Sequence, residues 1–373
     1  MREVLDQLLT WWRSGQTVGL ATVVDTWQSA PRAPGAVMLV GPDGSVVGSV
    51  SGGCVEADVH AVAETVVADG VPQLRRYGVS DADATAVGLP CGGTLDVLIE
   101  AVSLDSFPGL AALAADVTAG RPVAVATVLE HPDAARVGRR LVVTEVGSEG
   151  TLGGERIDAA VTDDVRGLLA AGHSRSLTYG PDGERRGTGL RVFAAVLAPR
   201  PRMLVFGASD FAAAVARMGG FLGYRVTVCD ARPLFTTDAR FPDADEVVVA
   251  WPHTYLAAEA AAGRTDERTV VCVLTHDPKF DGPLLEVALR LPLGYVGAMG
   301  SRRTHDERQD RLRTAGLTDA ELARLASPIG LDLGARTPEE TAVSIAAEIV
   351  RTRWGGEGRP LRELGGRIHH DPR

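Results

Sequence analysis

Lysine is almost missing from this chain: of 38 basic side chains in 373 residues, Lys279 is the only lysine. The remaining basic residues are all arginine, so no arginine is informative merely by being arginine. Aromatic residues are scarce at 5%. Alanine, valine, leucine and glycine fill the gap, as expected of sheets covered by small-residue helices. An excess of positive charge is also missing. The formal charge of −10 excludes a general nucleic-acid or membrane-surface binder. No apolar run reaches the ~18–20 residues that cross a bilayer, and Met1–Leu9 carries acids and lacks a signal-peptide core. The four cysteines, Cys54, Cys91, Cys229 and Cys272, are too few for a disulfide scaffold. They form no C-x-x-C, and no paired histidines accompany them, which excludes a structural zinc site. The expected compartment is the cytoplasm, with thiols reduced.

What the chain does have is two glycine–cysteine corners, Ser51-Gly52-Gly53-Cys54 and Cys91-Gly92-Gly93. Glycine pairs let the backbone approach a ligand and turn several N–H groups towards it. The run after Cys54 reads as a helix ending near Asp69-Gly70. Cys54 is therefore expected in its first turn, where the helix dipole favours a thiolate. A lone buried cysteine is usually a small hydrophobe, but two in matching corners point to the handling of something anionic or sulfur-bearing. Cys229 and Cys272, inside apolar strand-like runs, carry no such suggestion.

Length suggests two domains. Residues 3–13 read as an amphipathic helix with Val4, Leu5, Leu8, Leu9 and Trp12 on one side. Strands are expected at 18–26, 36–40, 46–50, 95–100, 122–130, 140–146 and 190–198, with helices at 108–119 and 158–171. These make a mixed α+β domain over residues 1–198 whose topology the pattern leaves open. No internal repeat is evident. Pro199-Arg200-Pro201 reads as a stiff linker. Beyond it, short Val-rich strands alternate with helices, the rhythm of a Rossmann-like parallel sheet over 203–355. Helices at 319–326 and 338–351 are expected to close that domain, and 356–373 to form a loose tail.

Gly207-Ala208-Ser209-Asp210-Phe211-Ala212 stands where a dinucleotide fold places G-x-G-x-x-G/A, with Asp230 at the usual ribose position. Ser209 replaces the glycine that lets pyrophosphate lie on the backbone, which disfavours a classical NAD(P) dehydrogenase. Thr275-His276-Asp277-Pro278-Lys279 and Gly300-Ser301-Arg302-Arg303 follow later strands, so Asp230, Asp277 and Arg302 are expected around one crevice. The plainer reading of each alone is a cap or an ion pair. His253 reads as a loop packing residue.

Together these stretches resemble the XdhC/CoxI family, accessory proteins for maturation of molybdenum hydroxylases such as xanthine dehydrogenase. The likeness runs through Ala30-Pro31-Arg32-Ala33-Pro34-Gly35, residues 48–56, Arg76-Tyr77-Gly78 and residues 88–94. It continues through Asp230-Ala231-Arg232-Pro233, residues 274–279, residues 295–304 and residues 328–334. The resemblance implies a chaperone, rather than a turnover enzyme, that binds the molybdenum cofactor (molybdopterin). It further implies assistance in sulfuration with a cysteine desulfurase and transfer to a molybdenum hydroxylase client. Gly52, Gly53, Cys54, Cys91, Gly92, Gly93, Gly207, Asp230, Asp277 and Arg302 are then the cofactor-binding candidates. Cys54 and Cys91 are the candidate molybdenum or sulfur contacts, both being soft ligands, and the resemblance does not say which of them does what. A homodimer is expected on the base rate for soluble oligomers, with one cofactor spanning the thiol corners and the Asp277/Arg302 rim. The alternative is an NAD(P)-binding oxidoreductase that holds its nucleotide in the second domain.

Overall fold

The computed structural model describes residues 1–28, 30–78, 93–275 and 277–365. The chain divides into two compact units, Met1–Pro199 and Arg200–Arg373. Among the described residues no helix is long and apolar enough to cross a membrane.

The first unit opens on α1 (Leu5–Arg13), followed by β1 (Val18–Trp27), β2 (Val37–Val40), β3 (Val46–Gly48), α2 (Glu56–Asp69), β4 (Gln73–Tyr77) and β5 (Thr94–Val102). Then come α3 (Leu110–Thr118), β6 (Val123–Glu130), β7 (Arg140–Thr144), β8 (Ser148–Gly150), α4 (Glu155–Ala171), β9 (Arg175–Tyr179) and β10 (Leu190–Leu197). The strands build two antiparallel sheets, ordered β3-β2-β1-β5-β4 and β8-β7-β6-β10-β9. Element order and strand order are the same in both. The unit is one α-β-β-β-α-β-β module built twice.

This corrects the expectation of no internal repeat, and the correspondence extends to side chains. Val18-Gly19-Leu20-Ala21-Thr22-Val23-Val24-Asp25 matches Val123-Ala124-Val125-Ala126-Thr127-Val128-Leu129-Glu130. Leu5, Leu8, Leu9 and Trp12 of α1 have counterparts in Leu110, Leu113, Ala114 and Val117 of α3, and all eight share one core cluster. That face is the one the helical spacing of apolar residues dictates. Helices α2 and α4 both stop at a left-handed glycine, Gly70 and Gly172, at φ 73° and 72°. The Tyr77 hydroxyl donates to Asp58 at 2.7 Å, and its counterpart Tyr179 donates to Asp164 at 2.9 Å.

The copies differ in charge where they meet. Asp96 pairs with Asp25 in the β5–β1 ladder, and Arg191 with Glu130 in the equivalent β10–β6 ladder. The Arg191 guanidinium reaches Asp25 at 2.5 Å, Asp96 at 2.8 Å and Glu130 at 2.7 Å. Arg76 from β4 adds a two-pronged contact to Asp96 at 2.7 and 3.0 Å.

The second unit contains β11 (Arg202–Phe206), α5 (Asp210–Phe221), β12 (Arg225–Asp230), β13 (Glu246–Val249), α6 (Pro252–Ala261), β14 (Val270–Val273), α7 (Pro278–Ala288), β15 (Tyr295–Ala298), α8 (Arg302–Thr314), α9 (Asp319–Leu322), β16 (Leu325–Ala326) and α10 (Pro338–Trp354). Its six strands form a parallel sheet ordered β13-β12-β11-β14-β15-β16. Apolar clusters cover both faces, which is why the central strands read as unbroken valine runs. His253 lies in the first turn of α6, where a loop was expected. The helix expected over 319–326 ends at Leu322. Arg324 then binds the carbonyls of Leu289, Leu291 and Leu293 at 2.7–3.0 Å, and Leu325 and Ala326 pair with β15 instead.

Candidate functional site

The first glycine corner lies between β3 and α2, and the Glu56 carboxylate fills it. One oxygen accepts from the N–H groups of Val50, Ser51 and Gly52 at 3.2, 2.9 and 3.0 Å. The other accepts from Gly53 and Val55 at 2.9 and 3.2 Å. The Ser49 and Ser51 hydroxyls donate to the same group at 2.6 and 2.5 Å. The Cys54 N–H goes to the Ser51 hydroxyl at 2.9 Å. The expectation of N–H groups turned towards a ligand is therefore corrected, because those donors are satisfied from within.

Cys54 is also not in the first helical turn. Helix α2 begins at Glu56, so the thiol precedes it on the turn. Gly52 and Gly53 have φ of +84° and +119°, a backbone that side chains rarely adopt, and a Cβ on either would meet nothing within 4 Å. The corner thus presents open space beside one half-buried thiol, whose inner side packs against the apolar cluster of Val50, Val55 and Val59. Arg32, from the Ala30–Gly35 stretch, reaches the Ser49 carbonyl at 3.4 Å.

Burial alone would raise the Glu56 carboxyl, but the hydroxyl and N–H donors of Ser49 and Ser51 outweigh it and hold the group at about 2 against an ordinary 4.5. A carboxyl lowered on folding stabilises the fold fully above pH 4.5, and that contribution is lost as pH falls towards 2. For this part-exposed group the contribution is on the order of 2 kcal/mol after solvent screening. Glu56→Gln should therefore cost about that much in urea unfolding at pH 7 and much less at pH 3. An equal cost at both values would show that the carboxylate charge is not what holds the corner.

Of the second corner, Cys91 and Gly92 lie outside the described residues; Gly93 is buried just before β5. Cys229 and Cys272 are core residues of the second unit, and burial pushes each thiol up to about 12. In the folded protein, peptide-resolved alkylation should label Cys54 at least about tenfold faster than Cys229 or Cys272. Comparable labelling of all three would contradict this placement. Among the described residues no group of three or more His, Cys, Asp or Glu is arranged to hold a metal ion.

In the second unit, Gly207 makes the tight turn expected of it. Its φ is +121°, and a Cβ would lie 2.9 Å from the Leu274 carbonyl carbon. Ser209 caps α5 by accepting from the Ala212 N–H at 3.3 Å. Asp230 is 1% exposed and committed within the unit. It accepts from the Ala208 N–H at 2.9 Å and from the Arg232 N–H and guanidinium at 2.8–2.9 Å. Burial would raise its carboxyl, but Arg232 holds it below the ordinary range. Arg232, rather than Asp230, lines the cleft of about 420 Å³ with Ala208, Ser209, Thr275, Asp277 and Phe280. Asp277 caps α7 through the Lys279 N–H at 3.1 Å, and that contact keeps its carboxyl low. Arg302 is exposed in the first turn of α8 and is not among the residues lining this cleft; His276 lies outside the described residues.

Comparison with known proteins places both units. Residues 203–349 match the model of the XdhC Rossmann domain. Residues 11–78 and 117–180 match the model of the XdhC and CoxI family. Those two stretches stop at corresponding residues of the two modules, Gly78 and Gly180, and start within one position of each other. A probable xanthine dehydrogenase subunit of Bacillus subtilis is 28% identical over 340 residues, covering 90% of this chain and 92% of that protein. The molybdenum cofactor insertion chaperone PaoD of Escherichia coli is 26% identical over 340 residues, covering 91% and 85%. A solved structure described as a xanthine dehydrogenase from Bacillus halodurans aligns with a TM-score of 0.69 at 26% identity, covering 97% of this chain and 96% of that one.

Proposed function

Because the chain belongs to the XdhC and CoxI family, we propose that it binds the molybdenum cofactor and delivers it to a molybdenum hydroxylase. The observation that carries this reading is the Cys54 corner. Its N–H groups are spent on Glu56, so what it offers a visitor is a soft sulfur donor beside two glycines with open space above them. The likeness to PaoD supports the same role. When bound, the cofactor would supply a dithiolene-held molybdenum with an exchangeable terminal oxygen or sulfur. This chain's own part is to hold a thiol at a fixed place on a turn that Glu56 keeps from folding away.

Sulfuration with a cysteine desulfurase, a homodimeric assembly and a cytoplasmic location belong to this proposal. So does a share of the binding for Gly207, Asp277 and Arg302, or for the pair Cys91-Gly92. The oxidoreductase alternative has less support, since Asp230 is committed to Ala208 and Arg232 and Ser209 closes the turn that pyrophosphate would need. Purification under anaerobic, reducing conditions from cells that make the cofactor should yield protein whose denaturation releases a fluorescent pterin in near-stoichiometric amount. Protein carrying no pterin from such cells would overturn the proposal.

A further inference from the structure

The duplicated module carries an internal comparison. The turn before α2, Gly48-Ser49-Val50-Ser51-Gly52-Gly53-Cys54-Val55-Glu56, has its counterpart before α4 in Gly150-Thr151-Leu152-Gly153-Gly154-Glu155-Arg156-Ile157-Asp158. The carboxylates at the end of each stretch do the same first job. Glu56 takes the Ser49 hydroxyl at 2.6 Å and the Val50 N–H at 3.2 Å. Asp158 takes the Thr151 hydroxyl at 2.6 Å and the Leu152 N–H at 2.7 Å.

Beyond that point the copies part. Glu56, one methylene longer, also takes the N–H groups of Ser51, Gly52, Gly53 and Val55. Asp158 is bonded to none of the corresponding groups; the Gly153 N–H goes to the Thr151 hydroxyl at 3.0 Å instead. Helix α4 begins at Glu155, the counterpart of Gly53, so Arg156 is helical where Cys54 is not. In the first copy the corresponding N–H groups are drawn to the side chain, and the helix starts three residues later.

We propose that Glu56 is a positioning residue whose extra methylene, compared with Asp158, holds Cys54 out of helix α2 and on the exposed glycine turn. A short carboxylate suffices to anchor the turn, as the second copy demonstrates; the long one decides where the cysteine stands. The inference rests on the reading of Cys54 as the cofactor-facing thiol, but its test does not need the cofactor.

The test is Glu56→Asp in the full chain, with Asp158→Asn as control. Glu56→Asp should stay folded and begin α2 early, as α4 does. The Cys54 Cα chemical shift should then move to a helical value, and the iodoacetamide rate at Cys54 should change by about tenfold. Asp158→Asn should lower the melting temperature and leave the Cys54 shift and rate at the parent's values. The proposal is overturned if Glu56→Asp leaves the Cys54 shift and rate unchanged. It is equally overturned if Glu56→Asp fails to fold, because the long side chain would then serve the fold itself. Movement of the Cys54 signal by Asp158→Asn would overturn it too. Failure of the cofactor reading would appear separately, as absence of released pterin from the parent protein.

Discussion

Replacing Arg191 with alanine should destabilise the first unit by about 3 kcal/mol, read as a lower urea midpoint at unchanged slope. Arg191 bridges the two copies of the module through Asp25 and Asp96 while pairing with Glu130 of its own copy. Asp96 is only 2% exposed, so it cannot recover by turning to water. Removing one partner of a buried pair leaves the other desolvated, which costs more than the pair itself contributes. Arg76 still faces Asp96 in the variant and keeps the loss below the upper end of the usual range. Arg191→Met restores the buried volume without the charge and should recover only a part. A loss under about 0.5 kcal/mol, the size expected of an exposed ion pair, would contradict a buried junction at this place.

A second large effect is expected at the carboxyl ends of β14 and β15. Arg308, 2% exposed, donates to Asp281 at 3.2 Å, to the Met299 carbonyl at 2.8 Å and to the Ser327 hydroxyl at 2.8 Å. Thr275 donates to the same Asp281 carboxylate, tying α7, α8 and the ends of both strands together. Arg308→Ala should cost about 3–5 kcal/mol and loosen the second unit, because the buried Asp281 loses this guanidinium and the Met299 carbonyl loses its donor. Amide hydrogen exchange locates the effect: β14, β15 and α7 should lose protection while the sheets of the first unit keep theirs. Uniform loss across both units would contradict a local network.

The second unit was legible in the sequence because its sheet is buried on both faces. Val270–Val273 is wholly buried and reads as an uninterrupted apolar run. The first unit was harder. Its strands β4 and β9, Gln73–Tyr77 and Arg175–Tyr179, lie at sheet edges with polar faces, and neither carries a strong strand pattern. The repeat was visible in the paired runs beginning at Val18 and Val123, and in Tyr77-Gly78 against Tyr179-Gly180. At the turn before each helix the repeat is masked, because Cys54 of the first copy corresponds to Arg156 of the second.

At the site, glycines and a cysteine flagged the corner, but composition does not show where a carboxylate several residues along will curl back. That is why the N–H groups of the corner were expected to be free and Cys54 to be helical. A similar limit applied to Asp230. Its position matched a ribose acceptor, while Arg232, two residues on, was the signal that the acid is committed to an internal pair. In both places the partners of the motif residues, Glu56 at the corner and Arg232 beside Asp230, decide what remains available to a ligand.

We propose that the thiol at the first glycine corner holds the cofactor for delivery. The most direct measurement loads parent protein and Cys54→Ala with molybdenum cofactor under reducing, anaerobic conditions, mixes each with apo-xanthine dehydrogenase, and follows the activity recovered. Alanine removes a soft donor and little volume, so the variant should unfold in urea like the parent yet deliver at least about tenfold less active enzyme. Equal recovery from a folded Cys54→Ala would contradict the account and leave Cys54 a packing residue at the edge of the core.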